Sequence, residues 1–330
     1  MLNNADDRIL RTPPVIQPLP PGTHRPTWSV MIPVYNCAEF LETTLRSVLA
    51  QDRGVEHMQI EVIDDASTDA DVEKLVYEIS AGRINYFRQE NNVGSLRNFQ
   101  TCLQRSTGTF IHLLHGDDVI RPGFYQKIEG LFQRHEDLGA AFCRYAYIDT
   151  NGSYMFAQNG EIHQDGVLDN WLERISERQL IQYVAMVVKR EVYEKLGGFY
   201  GAEYGEDWEM WVRIASEYRV GYVPEILAEY RKHHGSISGR SFLTGQNMIE
   251  LHGVMNRIRD YLPAEKQEII AARSRKFYAH YALRIAKSLW IDLRNKKGAK
   301  AQAHAAWNMQ RDPLLAFEIF KLYTRMILNL

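Results

Sequence analysis

A chain of 330 residues, 45% hydrophobic and 24% charged, has room for one large domain with an appendage or for two domains. Its 39 Lys and Arg against 41 Asp and Glu leave a formal net charge of -2, which gives no support to a nucleic-acid binder. Three widely spaced cysteines, Cys37, Cys102 and Cys143, suggest neither a disulfide framework nor a zinc knuckle and fit a reducing compartment.

The first 27 residues carry Pro13, Pro14, Pro18, Pro20, Pro21 and Pro26 with little apolar periodicity, and read as an extended or partly disordered lead-in. They lack the basic-then-apolar pattern of a signal peptide, and no apolar run in the chain reaches about 18 residues. The expected location is cytoplasmic, with peripheral contact at the inner face of the cell membrane left open. From Trp28 the pattern changes. Ser29 to Val34 reads as a strand, and Glu39 to Gln51 as a helix with Leu41, Leu45, Val48 and Leu49 on one face. Gln59 to Ile63 is a second strand, followed by a helix to Ser80. Ile84 to Phe87 is a third strand, followed by a helix to Ser106, and Phe110 to Leu114 is the fourth. Strands alternating with helices of this length predict a mainly parallel sheet covered on both faces.

Beyond Phe132 the rhythm loosens. A helix is expected from about Arg121-Pro122, strands over Ala140 to Ile148 and Ile181 to Val188, and a helix from Glu191 to Leu196. Another helix is expected over Trp208 to Tyr218, then two short strands, Val220 to Val223 and Leu227 to Tyr230. From Thr244 the sequence reads as helical, interrupted near Pro263, Gly298 and Pro313.

Four strand ends carry unusual polar groups: Tyr35-Asn36, Asp64-Asp65, the stretch Asn92 to Asn98, and Gly116-Asp117-Asp118. Each has an ordinary explanation. Asn36 and the paired acids could cap helices, Asp65 could open an Asx-turn, and Arg97 could be a solvated helix charge. Parallel strands, however, bring their carboxyl ends to one edge, where ligands of open α/β sheets collect. Two adjacent acids there repel each other unless a cation or several donors sit between them. There is no G-x-G-x-x-G after the first strand and no G-x-x-x-x-G-K-[ST]. A phosphate ligand would therefore need a metal and cationic side chains.

The ordered series Pro33-x-Tyr35-Asn36, Asp64-Asp65-x-Ser67-x-Asp69, Asn92-x-Gly94-x-x-Arg97-Asn98, Gly116-Asp117-Asp118, Gly205-Glu206-Asp207 and Tyr230-Arg231-x-His233 resembles the family 2 inverting glycosyltransferases over about Trp28 to Ser238. The resemblance implies an α/β fold of GT-A type: a Rossmann-like, mainly parallel central sheet flanked by helices, with a C-terminal helical extension. The expected organisation is a lead-in over 1–27, a GT-A domain over 28–240 and a helical region over 241–330.

The same resemblance implies roles for the matched positions. Pro33 and Tyr35 would line the nucleotide of a nucleotide sugar, with Tyr35 stacking on its base. Asp65 would accept from the base N3–H, favouring a UDP- or dTDP-sugar. Arg97 would lie along the cleft, Asp117 would contact ribose or sugar, and Asp118 and His233 would ligate Mn2+ or Mg2+ on the diphosphate. Which of Asp117 and Asp118 is the direct ligand stays open, because His115 stands where relatives often carry a carboxylate. Asp207 would be the general base that deprotonates a hydroxyl of a glycan or lipid-linked acceptor. Of Trp208 and Trp211, one is expected to stack on sugar and the other to lie in the core. Two other functions remain to be separated from this one: a nucleotide-sugar-binding protein without transfer activity, and a metal-dependent nucleotidyltransferase. The last helix is apolar around most of its circumference, apart from Glu318, Lys321 and Arg325. With the basic stretch Arg294 to Lys300 upstream, that pattern fits packing, a homodimer contact or an anionic bilayer surface.

Overall fold

The computed structural model describes residues 8–233 and 237–329, so His234 lies outside the described residues. The chain divides into two compact units, one of residues 1–169, 180–201 and 217–232, the other of residues 170–179, 202–216 and 233–330. This division cuts across the expected 28–240 and 241–330 spans, because two internal segments go with the C-terminal helices.

The first unit is built on one sheet. In chain order its elements are β1 (Trp28–Val34), α1 (Ala38–Leu49), β2 (Met58–Asp64), α2 (Val72–Ser80), β3 (Asn85–Arg88), α3 (Ser95–Arg105), β4 (Phe110–Leu113), β5 (Val119–Ile120), α4 (Phe124–Arg134), β6 (Leu138–Ile148), β7 (Tyr154–Ala157) and β8 (Gly166–Val167). The intervening helix α5 (Trp171–Glu177) belongs to the second unit. Next come β9 (Met186–Lys189) and α6 (Arg190–Leu196) in the first unit. After α7 (Glu206–Glu217), almost wholly in the second unit, β10 (Arg219–Arg231) returns to the sheet.

The strand order is β3-β2-β1-β4-β9-β6-β10-β5, with β7 on β6 and β8 on β10. The pairs β1 with β2 and β4, β2 with β3, and β6 with β10 are parallel, whereas β9 pairs antiparallel with β4 and β6, as do β5 and β8 with β10 and β7 with β6. Every residue of β1 is buried. Its Val30, Met31 and Ile32 form an unbroken apolar run because helices cover both faces. Each such fully buried side chain contributes about 1.5–3 kcal/mol. The chain leaves β1 towards β2 on one side and joins β4 on the other. That reversal makes the carboxyl ends of β1 and β4 the crevice where a ligand site is expected.

Several boundaries differ from expectation for local reasons. The strand expected from Ile181 begins at Met186, because Tyr183–Ala185 form a single 3-10 turn. The two short strands at 220–223 and 227–230 are one strand, β10, whose register shifts between Val223 and Ile226. Pro224 lies in that bulge, where its missing N–H costs no ladder bond. The helix expected at Arg121 starts at Phe124, since Val119–Ile120 pair with β10 and the Arg121 N–H donates to the Leu227 carbonyl at 2.8 Å. The lead-in has no helix or strand over residues 8–27, but it is held firmly. Ile16 is fully buried, and the Gly198 and Gly201 amides donate to the Pro14 and Leu10 carbonyls.

The second unit is helical. With α5 and α7 it contains α8 (Ile237–Phe242), α9 (Gln246–Arg259), α10 (Ala264–Ile291), α11 (Lys296–Met309) and α12 (Pro313–Leu328). Pro263 and Pro313 do mark helix starts. The break expected near Gly298 falls just before it, over 292–295; Gly298 itself sits in the first turn of α11, its N–H donating to the capping Asn295 side chain at 2.8 Å. On α12, Leu315, Leu322 and Met326 are buried, while Leu314, Phe317, Phe320, Ile327 and Leu328 are exposed. Among the described residues no helix is long and apolar enough to cross a membrane.

Candidate functional site

At the end of β4 the chain closes a tight turn over His115–Asp118, in which the Asp118 N–H donates to the His115 carbonyl at 3.1 Å. The turn is fastened to its neighbours. The Gly116 N–H donates to the Pro33 carbonyl of β1 at 3.2 Å, and the Thr44 hydroxyl of α1 lies 2.8 Å from the Asp118 carbonyl. Only glycine fits at 116, since a Cβ there would come within 2.8 Å of Val34 Cγ2 and 3.0 Å of Cys37 Sγ. Asp117 and Asp118 therefore cap no helix.

Arg231, at the end of β10, clamps this turn. Its backbone N–H donates to Asp118 Oδ1 at 2.9 Å and its Nε to the Asp117 carbonyl at 2.8 Å. Its Nη1 reaches the Asp149 and Thr150 carbonyls at 3.1 and 3.2 Å. The guanidinium lies 4.9 Å from the centre of the Phe40 ring, a cation–π contact. The sequence displays Arg231 only as part of a motif, and nothing local marks it as the residue that shapes the acidic turn.

Asp118 is buried, and its Oδ2 has no hydrogen-bond partner among the described residues. Burial pushes its carboxyl well above the usual range, and the neighbouring Asp117 pushes the same way. His115 is packed between Phe99 and Tyr183, with ring centres 5.2 and 4.5 Å away. Burial lowers its pKa and keeps the imidazole neutral, and its Nε2 is also unpartnered among the described residues. One ligand atom from each of His115, Asp117 and Asp118 lies within 4.8 Å of the others. An unpaired buried carboxylate oxygen, a second carboxylate and a neutral imidazole form a donor set that fits a divalent cation.

The other expected residues of the first unit surround the same sheet edge. Pro33 is buried in β1, and its carbonyl is taken by Gly116. Tyr35 follows the end of β1 and is 43% exposed. Asp64 is structural, held by Tyr86 Oη and an ion pair with Arg88. The Asp65 carboxylate anchors the next turn: Oδ1 accepts from the Val93 N–H at 2.7 Å, and Oδ2 accepts from the Gly94 N–H and Asn92 Nδ2 at 3.0 Å each. Burial raises its pKa to about 6 against the lowering effect of the two amides. That turn delivers α3, with Arg97 half-buried in its first turn.

The remaining two expected residues belong to the second unit, which is described by itself. Gly205, at φ +91°, turns the chain into α7, so Glu206 and Asp207 stand in its first turn. Asp207 Oδ1 accepts from the Trp208 N–H at 2.7 Å, and Oδ2 accepts from Gln179 Nε2. Burial lifts the carboxyl to about 7, although both hydrogen bonds pull it down. Gln179 is itself held by Tyr278, whose hydroxyl accepts from the Gln179 backbone N–H at 3.0 Å. Neither Gln179 nor Tyr278 carries a sequence signal. Trp208 and Trp211 are both buried, so the expectation that one stacks on sugar is corrected: Trp208 packs on Tyr278 and donates Nε1 to the Ile175 carbonyl at 2.6 Å. His233 is half-buried beside the residues outside the described set.

The description Glycosyl transferase family 2 matches residues 29–197, slightly more than half the chain. The chain belongs to glycosyl transferase family 2. It is a glycosyltransferase with an α/β fold of GT-A type. It is 28% identical over 246 residues to the uncharacterized protein MT1568 of Mycobacterium tuberculosis, covering 70% of this chain and 75% of that protein. Among solved structures, the TarS 1-349 fragment of S. aureus in complex with UDP-GlcNAc superposes with a TM-score of 0.65 at 16% identity, covering 91% of this chain and 89% of that one. The mannosyltransferase PcManGT of Pyrobaculum calidifontis, in complex with GDP-Man and Mn2+, superposes with a TM-score of 0.57 at 19% identity, covering 96% and 84%. At these identities the likeness establishes the shared fold of this family 2 enzyme.

Proposed function

We propose that this glycosyltransferase moves a sugar, with inversion, from a UDP- or dTDP-sugar to a hydroxyl of a glycan or lipid-linked acceptor. The observation that carries the reading is the buried acidic turn at the β1/β4 crevice, with an orphaned Asp118 Oδ2 and two further donors within 4.8 Å. The named complexes of TarS with UDP-GlcNAc and of PcManGT with GDP-Man and Mn2+ support a nucleotide-sugar donor and a divalent ion.

In this reading Tyr35 stacks on the base and Pro33 fixes the strand end beneath it. Asp65 already accepts three hydrogen bonds, which leaves about one of its four lone-pair positions for a base N3–H. Arg97 faces the diphosphate, and Asp117 takes a ribose or sugar hydroxyl. Asp118 holds Mn2+ or Mg2+, with His233 as the further ligand that the family pattern implies. His115 is an additional donor on this chain, and an imidazole favours Mn2+ over Mg2+. When bound, the ion would neutralise charge developing on the departing diphosphate.

Asp207 accepts the acceptor hydroxyl proton. The hydroxyl oxygen bonds to C1 of the sugar from the face opposite the diphosphate. As that bond forms, the bond from C1 to the diphosphate oxygen breaks, and the nucleoside diphosphate leaves with the electron pair. A base pKa near 7 suits this task at neutral pH.

The test is to incubate the protein with Mn2+ and a panel of UDP-, dTDP- and GDP-sugars, following nucleotide release and sugar transfer. Asp207→Asn should still bind donor but lose about 10²- to 10⁴-fold in transfer. Asp118→Ala should weaken metal-dependent donor binding. Undiminished transfer by Asp207→Asn overturns the assigned base. Donor binding without turnover by the wild type would instead indicate a binding protein, and release of sugar 1-phosphate from the nucleotide sugar a nucleotidyltransferase.

A further inference from the structure

Three aromatic side chains line up across three neighbouring strands of the first unit. Tyr230 of β10 is in register with Tyr147 of β6, and Tyr147 is in register with Phe156 of β7. The Tyr147 and Phe156 rings stack with centres 4.4 Å apart and planes 26° from parallel, and Tyr230 meets Tyr147 edge-on at 5.6 Å. Lys232 places its Nζ 5.4 and 5.6 Å from the two stacked rings. Among the described residues no carboxylate pairs with that ammonium. Phe156 is 45% exposed and Tyr154, on the same short strand, 61%.

Cross-strand aromatic pairs stabilise hairpins, but that role does not require rings facing water. The position of the row is more telling. Tyr230 and Lys232 flank Arg231, and alternation along a strand sends them to one face while Arg231 points to the other. Arg231 is the residue that grips the Asp117 carbonyl and, with the same guanidinium, the Asp149 and Thr150 carbonyls of the turn joining β6 to β7. The aromatic row and the acidic turn are thus fixed to one another through a single buried side chain.

We propose that this row, Phe156 and Tyr147 with Lys232 at its rim, is the platform on which a sugar ring of a carbohydrate acceptor stacks. The proposal rests on the transferase reading above and names the acceptor class that reading left open. A pyranose presents an apolar C–H face to an aromatic ring and hydroxyls at its edge to a donor such as an ammonium. A bilayer would be met better by a wider apolar surface with several cations. Here the apolar patch is a few side chains wide and is bordered by the polar turn Asp149 to Ser153.

The experiment uses the full chain. Binding to an array of defined soluble oligosaccharides is measured for wild type, Phe156→Ala and Phe156→Tyr, alongside UDP binding with Mn2+ and thermal melting. An oligosaccharide that binds is then tested as acceptor. The expected result is an oligosaccharide bound by wild type and by Phe156→Tyr, with affinity falling more than about tenfold in Phe156→Ala. In transfer assays that loss should appear in the acceptor KM rather than in kcat, while UDP affinity holds. Lys232→Ala should give a smaller loss in the same direction, and it guards against misfolding of the ring variant.

Equal glycan binding by wild type and both alanine variants overturns the platform. So does a wild type that turns over a nucleotide sugar yet binds no oligosaccharide. Phe156-dependent sedimentation with phosphatidylglycerol vesicles would replace the platform with a membrane contact. Failure of the wild type to release nucleotide from any donor overturns the transferase reading instead, and is seen in a separate arm.

Discussion

At the scale of single residues, Asp207 makes the sharpest claim. Its carboxyl is lifted from 3.8 to about 7, chiefly by burial, and the Trp208 and Gln179 donors offset only part of that rise. A general base must be ionised, so transfer should fall about tenfold per pH unit below pH 7 and level off above it. The same shift fixes the sign of a stability effect. Between about pH 4 and 7 the folded protein keeps a proton on Asp207 that the unfolded chain has released. Fewer protons in the unfolded state mean that stability falls as pH rises through this window, and the loss is complete once the pH passes the folded pKa. Asp207→Asn removes the titrating group. It should flatten the pH dependence of urea unfolding between pH 4 and 7 and be relatively more stable above pH 7. A variant whose unfolding curve tracks the wild type across that range would contradict the assignment. Gln179→Ala removes a donor to the carboxylate and should move the kinetic midpoint upward.

At the scale of elements, the decisive contribution is the last strand. The strands β1, β2 and β4 were legible because unbroken apolar runs such as Val30-Met31-Ile32 alternate with amphipathic helices. Their polar ends were legible because parallel strands share a direction. The site's support was not legible in the same way. Arg231 reaches the Asp117–Asp118 turn across more than a hundred residues of sequence, through a pairing of β10 with β5 and β6 that no local periodicity announces. Gln179 escapes for the same reason, since its partner Asp207 lies on another segment. The Arg231 side chain is buried and satisfies three backbone carbonyls around the acidic turn. Hydrogen bonds from a charged donor carry about 1.5–3 kcal/mol, and losing a buried partner leaves the carbonyls unsatisfied. Arg231→Ala should therefore cost about 2–4 kcal/mol in urea unfolding and weaken Mn2+-dependent UDP binding measured by calorimetry. The backbone amide to Asp118 survives the substitution, so metal affinity should fall without vanishing. Full metal affinity in a destabilised Arg231→Ala would separate the clamp from the site.

At the scale of the whole molecule, the open question is what meets the outer side of α12. The sequence showed a helix apolar nearly all round, and the fold uses only one side of it, burying Leu315, Leu322 and Met326. Leu314, Phe317, Phe320, Ile327 and Leu328 remain exposed at spacings of three, three, seven and one, a continuous stripe on a helix of 3.6 residues per turn. Its charges discriminate between the two partners that such a stripe suits. Binding to an anionic bilayer draws about 1 kcal/mol from each nearby Lys or Arg. On α12 the cations are Lys321 and Arg325, and Lys321 is already bonded to Glu318, which also takes Lys287. Basic residues Lys296, Lys297 and Lys300 stand at the start of α11, but α12 itself offers a bilayer little free positive charge, whereas an apolar stripe can pair with its own copy about a two-fold axis. The expected outcome is a concentration-dependent dimer in sedimentation equilibrium. Phe317→Glu combined with Phe320→Glu should weaken it by more than about tenfold, because two carboxylates per chain would be buried against each other. A wild type that stays monomeric at high concentration and floats with phosphatidylglycerol vesicles would reverse the choice of partner.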